Sequence, residues 1–138
     1  MLKPDDFLGE WTIERSIDDR HSAQVGAFQG RAMFASSGRS ELIYQETGQM
    51  RLGQGPRMTA TRSYRWGFEG NTVFVSFEDA RPFHSFIPEG IGAGTDHPCG
   101  DDYYRVAYDF ERWPVWSAVW TVVGPRKDYT STTHYRRF

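Results

Sequence analysis

Polar and apolar residues alternate with a period of two along most of this chain. In the first such stretch, Trp11, Ile13, Arg15 and Ile17 fall on one side of an extended backbone, and Thr12, Glu14, Ser16 and Asp18 on the other. The same alternation marks approximate segments 10–18, 25–35, 40–49, 57–67, 71–78, 82–87, 102–110, 115–124 and 129–137. No window carries a convincing 3.6-residue stripe, so the chain reads as all-β. Turn residues separate the segments, among them SSGRS at 36–40, GQGP at 53–56, EGN at 69–71 and GPRKD at 124–128. Spacing this regular predicts a single antiparallel up-and-down β-barrel of about 8–10 strands, with residues 1–138 as one domain. The one long interruption, 88–101, reads as an irregular Gly-rich loop, either a lid or portal or a surface excursion.

Assigning the more apolar face of each segment to the interior gives an interior that is aromatic but distinctly polar. Arg62 shares its face with Met58, Ala60, Tyr64 and Trp66, and Glu46 shares one with Leu42 and Tyr44. Asp102, Tyr104, Val106, Tyr108 and Phe110 fall together, as do Trp116, Ala118, Trp120 and Val122. The last segment places Tyr129, Ser131, Thr133, Tyr135 and Arg137 on one side. An unpaired charge in a dry core costs several kcal/mol, so Arg15, Glu46, Arg62 and Arg137 demand partners or water. Either the charges pair with one another and with Tyr hydroxyls, or the barrel encloses a wet cavity whose arginines meet an anionic ligand. A closed barrel of about eight strands has room for one small ligand. A bulge in any strand would exchange its faces.

Composition sharpens this picture. Aromatic residues make up 16% of the chain, with 10 Phe, 7 Tyr and 5 Trp, enough to line a pocket as well as a core. The formal net charge is −2 with both signs interspersed, which leaves no electrostatic footprint for nucleic acid or an anionic membrane. The longest apolar run, VWSAVWTVV, reads as a strand and falls short of the ~20 residues of a membrane-spanning helix. A single cysteine, Cys99, and an N-terminal stretch without a basic-then-apolar signal lead to an expectation of a cytoplasmic protein, monomeric or homodimeric.

Candidate chemistry centres on His84 in ARPFHSF, His97 and Cys99 in DHPCGDD, and His134 on the last segment. Zinc needs three or four converging ligands, and His-x-Cys is not a paired-ligand spacing, so no metal is expected. A haem held by His134 would require that side chain to face inward, whereas the alternation turns it outward; no cofactor is expected. A catalytic reading uses His84, Cys99 and Asp102, as a thiol beside a histidine or as an acid–base carboxylate near Tyr104. The bland alternative is a hydrogen-bond cluster at the barrel mouth. GPRK at 124–127 fits a solvated hairpin better than an anion clamp and lacks the glycine pattern of a P-loop.

FLGEW at 7–11 resembles the Gly-x-Trp entrance of the calycins, the superfamily of lipocalins and fatty-acid-binding proteins. In that pattern the Trp closes one barrel end beneath a basic side chain of the last strand. THYRRF at 133–138 supplies the counterpart, Arg137, which shares a face with Tyr135 and is preferred to Arg136. A cation over an indole contributes roughly 0.5–2 kcal/mol. The set FLGEWTIERSID, EDARPFHSF, HPCGDDYYRVAYDF and VVGPRKDYTSTTHYRR resembles a small bacterial domain family of unknown function with this barrel. That resemblance covers nearly the whole chain and implies the fold while leaving function open.

The reading that follows is a barrel holding one small, partly apolar, anionic molecule. Trp11, Tyr64, Trp66, Tyr104, Tyr108, Trp120 and Tyr135 give stacking and apolar walls, Arg15 and Arg62 neutralise a carboxylate or phosphate, and Tyr44, Glu46 and His84 complete the lining. The alternatives are an enzyme acting at the same cavity and an interaction module with an exposed aromatic rim.

Overall fold

A computed structural model describes the whole chain, Met1–Phe138. Its long strands are β1 (Gly9–Asp19), β2 (Gln24–Ser36), β3 (Glu41–Leu52), β4 (Met58–Glu69), β5 (Thr72–Phe77), β6 (Pro82–Phe86), β9 (Asp102–Asp109), β10 (Trp116–Gly124) and β11 (Lys127–Arg137). They match the nine alternating segments. Segment 88–101 is not irregular throughout: it contains β7 (Ile91–Ala93) and β8 (His97–Cys99), both antiparallel to β9. These short strands cover the edge of β9 that β10 leaves unpaired, and Pro98 is tolerated because β8 is itself an edge. A single helical turn, α1 (Pro4–Phe7), precedes β1, too short to show a stripe in the sequence. Pro4 occupies its first turn, and the Asp6 carboxylate accepts the Lys3 N–H at 2.7 Å.

The strands run up and down in the order β6-β5-β4-β3-β2-β1-β11-β10-β9, every pair antiparallel. Pairing of β1 with β11 brings the two ends of the chain together. The remaining seam lies between β6 and the segment joining β7 to β8. There the Thr95 N–H donates to the Ser85 carbonyl at 2.8 Å and the Ser85 N–H donates to Thr95 Oγ1 at 2.9 Å, while the Gly94 N–H ties the segment to β9 through the Val106 carbonyl at 2.9 Å. The result is a nearly closed barrel.

Its interior has a packed floor and an open upper half. In the floor, Phe7 and Trp11 are fully buried, and the Phe7 ring meets Trp116 edge-on at 5.7 Å. Trp116 in turn stacks on Tyr135 at 3.7 Å between centroids. Arg137 lies over Trp11, its guanidinium 3.9 Å from the ring centroid, and donates to the Leu8 and Asp6 carbonyls at 2.6 and 2.5 Å. Trp11 Nε1 donates to the Phe7 carbonyl at 2.8 Å, so the entrance stretch is tied to α1 and to the last strand at once. No helix is long and apolar enough to cross a membrane.

Where β2 meets β3, Gly30 stands opposite Gly48. A methyl group on Gly48 would collide with the Gln29 carbonyl oxygen and the Phe28 ring. Gly48→Ala is therefore expected to cost about 1–3 kcal/mol, read as a lower urea midpoint with unchanged m-value.

Candidate functional site: a charged aromatic cavity

Above the floor lies a cavity of about 520 Å³ that extends up to the strand-end residues Asp19 and Leu52. The period-two faces converge on it: Arg15 from β1, Tyr44 and Glu46 from β3, and Arg62, Tyr64 and Trp66 from β4. His84 from β6, Tyr104 and Tyr108 from β9, Trp120 from β10 and Tyr135 from β11 complete that part of the wall. Trp11 is not on the wall; it belongs to the floor beneath, where Arg137 covers it. Asp102 is not on the wall either, because Lys127 holds it at the rim with Nζ 3.1 Å from Oδ2. Cys99 is exposed and lies at the mouth, and His134 faces outward.

One carboxylate organises the cavity's charges. Glu46 is 1% exposed, and Arg15 grips it with two parallel bonds of 3.1 and 2.9 Å. Arg15 Nε also donates to Thr133 Oγ1 at 2.7 Å, its register partner across the β1–β11 ladder. Arg15 stands opposite Phe28 and Glu46 opposite Ala32, so the pair spans the intervening β2, with the guanidinium 4.9 Å from the Phe28 ring centroid. Arg62 stands directly opposite Glu46 on β4, with Nε 2.8 Å from Oε1. Tyr44 OH donates to Glu46 Oε2 at 2.9 Å and lies 2.9 Å from Tyr135 OH. With the Tyr44 proton committed to Glu46, Tyr135 is the donor in the tyrosine pair.

Burial is the largest effect on Arg15 and opposes its charge, but Glu46 together with Tyr135 and Tyr44 outweighs it and holds the guanidinium pKa above its ordinary value. Burial pushes the Tyr44 and Tyr108 phenols well above their usual range and Tyr135 up to about 12, which strengthens the preference of a phenol for its protonated form. Glu46→Gln leaves Arg15 with an uncompensated buried charge. It should cost about 3–5 kcal/mol, and combining it with Arg15→Met should cost less than the two separately, as measured by urea unfolding of the cycle.

His84 has a different role from a general base. Its Nε2 is 2.8 Å from Tyr108 OH, its ring meets Trp120 edge-on at 4.9 Å, and its Nδ1 has no partner. Neither Cys99 nor Asp102 hydrogen-bonds to it, so the structure assembles no thiol–histidine or carboxylate–histidine pair there. Burial first, and the charge of His97 second, lower its pKa to about 3, against an ordinary 6.5. The unfolded chain therefore takes up this proton at a higher pH than the folded one. The corresponding stability is complete above about pH 6.5 and is lost as pH falls toward 3. Between pH 7 and pH 5 the loss should be about 2 kcal/mol, and His84→Gln, which keeps a partner for Tyr108, should flatten that part of the pH–stability curve.

Several lining residues were not among the sequence-based candidates. Phe77 and Tyr129 line the mouth, and so does Phe83; His97, named above as candidate chemistry, joins them there. Alternation along β6 would turn Phe83 outward, because its neighbours His84 and Phe86 face inward. The β5–β6 register shifts there, with Val75 opposite His84 and Ser76 opposite Pro82, so Phe83 is the extra residue of a β-bulge. The one signal available in the sequence was Pro82, which cannot donate to the ladder. At the rim, Lys127 Nζ donates to Tyr104 OH at 3.0 Å, and this bond, with Asp102 behind it, raises the lysine pKa. No three His, Cys, Asp or Glu side chains come together as metal ligands.

A meander of antiparallel strands joined first to last, floored at one end by a tryptophan beneath an arginine and hollow above, is a calycin-like β-barrel. The chain belongs to the DUF6314 family, a family of unknown function, whose model matches residues 7–137. Among solved structures it is similar to an S-type phycobiliprotein lyase from Guillardia theta, with 7% identity and a TM-score of 0.72 over 98% of this chain and 90% of that one. It is also similar to a protein of unknown function from the DUF3598 family of Nostoc punctiforme, with 12% identity and a TM-score of 0.67. That match covers 100% of this chain and 50% of the other, so this chain spans about half its length. No curated protein matches the chain in sequence. At these identities the structural likenesses establish the barrel, and the chemistry rests on the cavity's own residues.

Proposed function

We propose that the protein binds one small, partly apolar, anionic molecule in the barrel cavity, with Arg62 as the principal anchor of its negative charge. The observation that carries this reading is the ratio of charges around Glu46: two guanidiniums, Arg15 and Arg62, share one carboxylate. Arg15 already satisfies Glu46 with both terminal nitrogens, whereas Arg62 contributes only Nε and is 51% exposed. Its remaining donors are the ones a ligand carboxylate or phosphate would take. Asp19, the other carboxylate on the wall, sits at the rim and accepts the His21 and Ser22 backbone N–H groups at 3.1 and 3.2 Å, which leaves the deep site cationic. Tyr64, Trp66, Tyr108 and Trp120 supply the apolar surface.

This is a reading of binding rather than turnover, because the imidazole in the wall is partnered by a phenol and not by a nucleophile. The lone free thiol, Cys99, supports residence in a reducing compartment, the cytoplasm. Calorimetric titration at neutral pH with 2-naphthoate and with uncharged 2-naphthol tests the reading. The carboxylate is expected to bind about tenfold more tightly, and Arg62→Met to erase the difference. Equal affinity for the two compounds, or no binding of either at millimolar concentration, would overturn it.

A further inference from the structure

Resting on the reading of the cavity as an anion site, we infer that the apolar part of the ligand is a planar aromatic ring system, which enters the slot filled by Phe83 and displaces that side chain. The ligand class is then an aromatic anion such as an aryl carboxylate, and Phe83 is its gate.

Ring geometry is the first support. Phe83 lies parallel to Trp120, at 7° and 4.9 Å between centroids. On its other side are Phe77 at 24° and 4.7 Å and Tyr64 at 26° and 5.6 Å. Moving Phe83 aside leaves two near-parallel aromatic walls separated by the thickness of one ring. A flat arene recovers both stacking contacts at ordinary spacing, while a flexible alkyl chain recovers neither. The edges of the slot are polar: His84 and His97 meet Phe83 edge-on, at 88° and 86°.

The backbone supplies the second support. As the extra residue of the β5–β6 bulge, Phe83 is unpaired in the ladder, so its side chain can swing outward without opening a cross-strand pair. Strand β6 lies at the barrel seam, tied to the facing segment by the reciprocal Ser85–Thr95 contacts. The charge supplies the third. Arg62 is two residues before Tyr64 on the same face of β4, so its guanidinium lies at the end of the slot, where it opposes the burial-driven rise of the Tyr64 pKa. A ring seated against Tyr64 presents an anionic substituent to Arg62.

The test compares 2-naphthoate with decanoate, which carries the same head group on a flexible chain, in the wild type and in Phe83→Ala, Phe83→Leu and Trp120→Leu. Wild type is expected to bind 2-naphthoate about tenfold more tightly than decanoate. Removing the gate should tighten 2-naphthoate by about tenfold in Phe83→Ala, with a smaller gain in Phe83→Leu, which carries the test if the alanine variant does not fold. Trp120→Leu should weaken 2-naphthoate and leave decanoate within about twofold. Weaker 2-naphthoate binding by both Phe83 variants would make Phe83 a wall rather than a gate and overturn the inference. So would equal wild-type affinity for the two acids; if Arg62→Met then weakened both, the anion site would stand without the planar slot. Equal binding of 2-naphthol and 2-naphthoate would remove the anion site itself.

Discussion

Almost every polar choice inside this barrel follows from one buried carboxylate. An ionised group as enclosed as Glu46 is stable only if nearly all its lone pairs are used, and Arg15, Arg62 and Tyr44 use them. Those partners come from three different strands, so the network fixes the register of β1, β3 and β4 around the intervening β2. Strand β2 meets β3 through a glycine pair: a side chain at Gly30 would collide with the Thr47 carbonyl, and Gly48, which faces it, lies under the Phe28 ring. That same Phe28 ring packs against the Arg15 guanidinium, 4.9 Å from its centroid.

That network separates the two halves of the interior. Below it the barrel is filled by interlocking rings around Phe7, Trp11 and Trp116, with Arg137 sealing the end where the first and last strands meet. Above it the walls are aromatic and enclose the cavity, which narrows where Phe83 stacks on Trp120. A hydrophobic floor can be packed to crystal-like density because apolar rings need no specific partners. Arginines and tyrosines held in fixed hydrogen bonds cannot collapse in the same way, so the space over them persists. The surplus guanidinium at that boundary leaves the network at the base of the cavity with a net positive charge.

The proposed anion site and the stability of the barrel thus draw on the same network but on different atoms. Arg15 faces Glu46 with its fork and stays charged because of it, whereas Arg62 gives up one nitrogen and keeps the rest at the cavity. His84 contributes as a neutral ring wedged among Trp120, Phe83 and Tyr108. Desolvation disfavours its charged form, and the same effect raises the pKa of the neighbouring Tyr108 phenol.

The nine long strands, the meander and the inward side of the strands whose faces were assigned were legible in the sequence, because a period of two is a local property of extended backbone. Placing Arg15, Glu46 and Arg62 on interior faces needed nothing more than that alternation, and the Trp11–Arg137 juxtaposition was suggested by a motif at each end of the chain. Other features were invisible there. The Arg15–Glu46 pair joins residues 31 apart, and only the ladder register across β2 brings them into reach. Phe83 enters the cavity through a bulge that reverses the alternation at a single residue, and β7 and β8 exist because β9 offers them an uncovered edge. Local periodicity thus fixed which residues could meet inside the barrel. Which of them do meet, and how much space is left between them, was decided by long-range register and closure, which no stretch of sequence encodes by itself.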